Sequence, residues 1–135
     1  MPRTIVQTVS FKGSPPQDVY AALMDSRKHS LFTRAKARMS NKPGGKFSAY
    51  DGYIEGTNLV VVQNRKIVQL WRGSDWPQGH YARTTFQLSR TKSGTRLRFR
   101  QSNVPDAQYA SIKQGWIDFY WKPLKVFLGK EGRRL

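Results

Sequence analysis

The chain has 135 residues, the length of one ordinary domain, and its 24 Lys and Arg against 8 Asp and Glu leave it at +16 with His neutral. The absence of cysteine excludes disulfide frameworks, thiolate zinc sites and cysteine nucleophiles, and it suits a reducing compartment. The first residues form no apolar signal segment, and the aliphatic run Leu59 to Val62 is far short of the ~20 residues of a membrane-spanning helix, so the cytoplasm is the expected location.

The first element is a strand. From Thr4 to Phe11 the chain alternates, with Ile5, Gln7, Val9 and Phe11 on one face. Ser14, Pro15, Pro16 and Gln17 then give a helix-start signal, with Ser as cap and Gln three residues on. Val19, Tyr20, Leu23 and Met24 recur at helical spacing, and Asp25-Ser26 closes this helix and opens a second short one with Leu31 and Phe32.

Pro43-Gly44-Gly45 and Asp51-Gly52 are turn signals that bracket the start of a strand-rich middle. Five runs follow with short connections: 46–50, 53–62, 66–72, 81–90 and 95–101. Such spacing describes an antiparallel meander. The end turns helical, with Asp106 as a cap and Tyr109, Ile112, Trp116, Phe119 and Tyr120 in one apolar stripe that Leu124 and Phe127 extend. Pro123 lacks the N–H of a mid-helix bond and predicts a kink; Gly129 predicts the helix end, with 130–135 as a frayed basic tail. No repeat or linker divides the chain, so residues 1–135 are expected to form one α+β domain. Two short helices follow its first strand, and a curved antiparallel sheet of six or seven strands grips a long C-terminal helix.

Four separated signatures carry a resemblance: 42–48 (KPGGKFS), 67–72 (IVQLWR), 76–81 (WPQGHY) and 114–121 (QGWIDFYW). With the segments 4–7, 19–23 and 28–33 they resemble, in order and over nearly the whole chain, the activator-of-heat-shock-protein-ATPase family. That family lies within the helix-grip superfamily that includes START and pollen-allergen-like domains. The resemblance implies the helix-grip fold, a cavity between sheet and long helix, and a chaperone-associated role of the kind served by the carboxy-terminal half of the eukaryotic co-chaperone.

The residues themselves offer three constellations. His29 and His80 are the only histidines and stand far apart, so neither a metal site nor any other cofactor is expected, and no Gly-x-Ser-x-Gly elbow or phosphate loop indicates an enzyme. His80 reads as an orienting loop contact, and Asp51 and Glu55 as neutralising neighbours of Lys and Arg. The inner aromatic set of Phe32, Trp71, Phe86, Phe99, Ile112, Trp116 and Tyr120 is the candidate wall of a cavity for a small hydrophobic ligand, or else plain core. On the other sheet face Arg83, Arg96, Arg98 and Arg100 should point outward together. Guanidinium forks pair with carboxylates and phosphates, so an acidic chaperone surface, another acidic protein or, without sequence preference, nucleic acid are the partners such a face could take.

Overall fold

Alternation of apolar and polar residues builds six strands in the computed structural model of the chain, which describes residues 1–133 and side chains as far as Lys130. Strand β1 (Arg3–Lys12) leads into helices α1 (Pro16–Met24) and α2 (Ser26–Thr33). Strands β2 (Lys46–Ala49), β3 (Ile54–Val62), β4 (Lys66–Gly73), β5 (Ala82–Thr91) and β6 (Gly94–Val104) follow. Helix α3 (Tyr109–Gly115), a π-helical turn (Trp116–Trp121) and helix α4 (Lys122–Arg133) end the chain. The sheet is antiparallel in the order β1-β6-β5-β4-β3-β2. The meander therefore runs from β2 to β6, and β1 closes on β6.

One sheet face is apolar, as the alternation requires. Ile5, Val9 and Phe11 on β1 join Ala82, Phe86 and Leu88 on β5 and Leu97 and Phe99 on β6 under the helices. Pairing on both sides lengthens β6 beyond the expected 95–101, since Arg3 pairs with Val104. A register shift between Asn58 and Val60 interrupts β3, where buried Asn58 accepts a bond from Gln69 Nε2 (3.1 Å) and donates to the Ser40 carbonyl (2.7 Å). These bonds tie the Ser40–Gly45 loop to the sheet.

Two helix ends depart from expectation. The capping box at Ser14 does not form; Pro15 holds the cap position, and the Ser14 carbonyl instead accepts from Thr95 Oγ1 at 2.6 Å. Asp25 does cap α2, its carboxylate accepting from the Lys28 N–H at 2.9 Å. At the other end of the chain Gly129 does not stop α4, which runs on to Arg133 because Leu124 and Leu128 hold it on the core. The tail expected over 130–135 is thus helical as far as Arg133, and its last two positions lie outside the described residues.

The irregularity expected at Pro123 takes the form of the π turn just before it. An i→i+5 spacing inserts one residue into the helix and re-phases the buried stripe. Trp116, Tyr120, Trp121, Leu124 and Leu128 are buried, while Phe119, placed on the core stripe by the sequence, is 59% exposed.

Candidate functional site

Polar bonds as well as apolar contact fix the long helix on the sheet. The Trp116 indole N–H donates to Gln101 Oε1 (2.9 Å), and Gln101 Nε2 donates to Thr84 Oγ1 (3.0 Å), all three residues being buried. The Trp121 indole donates to Gln7 Oε1 (2.7 Å), and Gln7 Nε2 donates back to the Lys113 carbonyl (3.0 Å). Buried indoles need such partners, because an orphaned donor costs about 1–3 kcal/mol. Tyr120 is held by His29: the His29 Nδ1–H donates to the Leu23 carbonyl (2.9 Å), and Nε2 accepts from the Tyr120 hydroxyl (3.1 Å). Burial lowers the His29 imidazole to about 4 and pushes the Tyr120 phenol far up, so both are neutral at neutral pH.

A cleft of about 320 Å³ opens beside this anchored helix. Ile112, Gly115, Trp116, Phe119 and Tyr120 form its helix side, Trp71 and Ile54 its sheet side, and Tyr50 and Tyr53 its lip. Its lining is almost wholly apolar, and its size falls at the lower end of small-molecule pockets. Gly115 keeps the space open: a Cβ there would have only Phe119 nearby, at 3.7 Å.

The lip is strained. Tyr50, Asp51 and Gly52 take φ of 49°, 56° and 92°, three consecutive left-handed residues of which two carry side chains. Asp51 holds them by exchanging bonds with Lys36, its carboxylate accepting from the Lys36 N–H (2.8 Å) and its own N–H donating to the Lys36 carbonyl (3.1 Å). The turn aims Tyr50 across the cleft, where its hydroxyl donates to the Phe119 carbonyl. Burial raises the Tyr50 and Tyr53 phenols to about 12, for Tyr53 with help from the Asp75 carboxylate it bonds at 2.7 Å.

The inner aromatic set therefore divides. Trp71, Ile112, Trp116 and Tyr120 line the cleft. Phe86 and Phe99 lie behind Trp116, with ring centroids 5.9 and 4.4 Å from it, and Phe32 packs against His29, Tyr120 and Phe127 on the far side. Between sheet and helix, in the space that Phe86, His29 and Gln69 help to line, the remaining void is only about 10 Å³, scarcely room for one water. The sequence did not single out Tyr50, Tyr53, Ile54 or Gly115. A glycine and a proline in one aromatic-rich helix, eight residues apart, were the available signal.

The outer face bears Arg83 on β5 and Arg96, Arg98 and Arg100 on β6, all exposed. Register sets Ser89 beside Arg96, Gln87 beside Arg98 and Thr85 beside Arg100, with Ser10, Thr8 and Val6 of β1 on the other flank. The two ion pairs among the described residues are Arg72–Glu55 (3.4 Å) and Lys122–Asp118 (3.3 Å), so none of these four Arg is paired there. His80 Nε2–H donates to the Asn103 carbonyl (2.7 Å) and fixes the Trp76–His80 loop. Among the described residues no cluster of three or more His, Cys, Asp or Glu is placed to hold a metal, and no helix is long and apolar enough to cross a membrane.

Sheet order, the two helices after the first strand and the pinned C-terminal helix together define an α+β helix-grip domain with a side cleft. Residues 13–129 match the family described as Activator of Hsp90 ATPase homolog 1-like protein, and the chain belongs to that family. It is 35% identical over 86% of its length to an uncharacterised protein of Schizosaccharomyces pombe. It is 29% identical over 87% to the human Activator of 90 kDa heat shock protein ATPase homolog 1. The chain spans about a third of the length of these curated relatives. The crystal structure of an HSP90 activator from Plasmodium falciparum superposes with a TM-score of 0.85, at 26% identity and with 96% of each chain covered. A Mesorhizobium loti protein shares the fold at 24% identity, with a TM-score of 0.82 over 95% of this chain and 98% of its own.

Proposed function

We propose that the chain is a non-catalytic binding module of the Hsp90 ATPase activator type, and that it contacts an acidic face of a heat-shock chaperone through Arg83, Arg96, Arg98 and Arg100. The observation that carries this is the row of four outward Arg with no acidic partner among the described residues, on a chain of +16 in a family whose named members are chaperone activators. Arginine forks at a pitch of two residues along a strand suit a surface rich in carboxylates. The polar residues around them are Ser, Thr and Gln, and no aromatic side chain stands in the row to stack on bases, so a protein partner fits better than single-stranded nucleic acid. Calorimetric titration of the chain into a purified 90 kDa heat-shock chaperone tests the role. Saturable binding supports it; no complex at low salt counts against it.

The cleft supports a second reading, as carrier or sensor of a small apolar ligand held against Trp71 and Trp116. Its volume and apolar lining are the observations in favour. An apolar fluorescent probe such as anilinonaphthalene sulfonate should then bind with 1:1 stoichiometry and be excluded by Gly115→Leu. Failure to bind, or binding unchanged in that variant, removes this reading.

A further inference from the structure

The outer side of the C-terminal helix carries a second apolar stripe that the core does not use. Phe119, Pro123 and Val126 recur at i, i+4 and i+7, and Phe119 and Val126 are each 59% exposed. Leu31 of α2, 51% exposed, shares a groove with them of about 380 Å³ between α2 and α4. Arg34 and Lys130 supply basic charge to the groove. Among the described residues its one acid is Asp118, already engaged by Gln114 (3.2 Å) and Lys122 (3.3 Å). The π turn is what rotates Phe119 out of the core and into this stripe, and such insertions give up regular hydrogen bonding and recur at functional positions.

We propose that this groove docks a protein segment with apolar side chains at helical spacing flanked by acidic ones. A second copy of the chain is a poor occupant, because it would bring one basic rim against another at +16 per chain. A membrane surface takes apolar side chains that project from a helix face, whereas these line the walls of a concavity. The groove lies on the helix side of the sheet and the Arg row on the opposite face, so the two surfaces can be occupied independently.

The test is selection of a displayed helical-peptide library on the full chain, followed by titration of synthetic versions of the enriched peptides. The expected binders combine apolar residues at i, i+4 and i+7 with Asp or Glu. Their affinity should fall at least tenfold in Phe119→Ser and in Val126→Asp, fall severalfold in Arg34→Glu, and hold in Arg98→Glu. Phe119 and Val126 are both exposed, and an unchanged thermal melt of either variant shows that loss of binding is not loss of fold. The proposal is overturned if no peptide is enriched, if the enriched peptides lack acidic residues, or if binding survives both groove variants. It is also overturned if the chain sediments with phosphatidylserine vesicles in a Phe119-dependent way while no peptide binds.

Discussion

The hydroxyl of Tyr50 donates to the carbonyl of Phe119, inside the π turn that precedes Pro123, where the regular ladder of helix hydrogen bonds is interrupted. A residue in a strained left-handed turn thus supplies a donor to the irregular part of the helix, and both residues line the cleft. Tyr50→Phe should cost about 1 kcal/mol in urea unfolding, the usual net contribution of one such bond. The cost should shrink in a Pro123→Ala background, where a backbone N–H becomes available. A double-mutant cycle with no coupling would show that the two features are independent.

His29 gives the fold a pH dependence. Its imidazole is near 6.5 when unfolded and about 4 when folded, so the unfolded chain takes up the proton first as pH falls. Stability is therefore lost between about pH 6.5 and pH 4 and is constant in this respect above that window. The full shift corresponds to about 3 kcal/mol. Urea unfolding at pH 7 and pH 5 should show much of this loss in the native chain, and His29→Gln should flatten it. An unchanged slope in the variant would place the dependence elsewhere.

Gln101 is the polar joint between helix and sheet. Gln101→Met leaves the Trp116 indole N–H buried without an acceptor, and deprives Thr84 of its donor. The expected loss is about 2–3 kcal/mol, with a blue shift or broadening of tryptophan emission as Trp116 loosens. A loss below half a kcal/mol would mean that packing alone seats the helix.

Gly115 sacrifices helix stability for open space. Its backbone is helical and an added Cβ meets nothing closer than 3.7 Å, so Gly115→Ala should stabilise by about 0.5–1 kcal/mol. A rise in melting temperature is the expected readout, and a fall would show that the cleft is tighter than its lining indicates.

Strands were legible in the sequence because alternation with a period of two survives any sheet order, and β3, β4 and β5 end within one residue of expectation. The C-terminal helix was legible only in part. Its apolar stripe was read with a constant α period, which puts Phe119 inward; one inserted residue reverses Phe119 and Trp121, and no local propensity marks that insertion. Gly129 and Ser14 failed as punctuation for a related reason: Leu128 packing and the Thr95 bond, both tertiary, override the local signals. Four of the seven inner residues proposed from the sequence line the cleft, since the helix spacing and the strand face determine them. Its lip could not be read, because Tyr50 reaches the helix only through a left-handed turn, and Tyr53 follows directly after that turn. The outer Arg row needed nothing beyond strand alternation.

The most direct test of the chaperone-binding role is to reverse that row and leave the fold intact. The chain and its Arg96→Glu/Arg98→Glu/Arg100→Glu variant should be titrated into a purified 90 kDa heat-shock chaperone at about 50 mM and about 200 mM salt. The three Arg are exposed and unpaired among the described residues, so the variant should fold. Binding should weaken with salt in the native chain and fall at least tenfold in the variant, as expected where charges steer and hold an acidic face. Equal affinity of the two proteins at low salt would contradict the account.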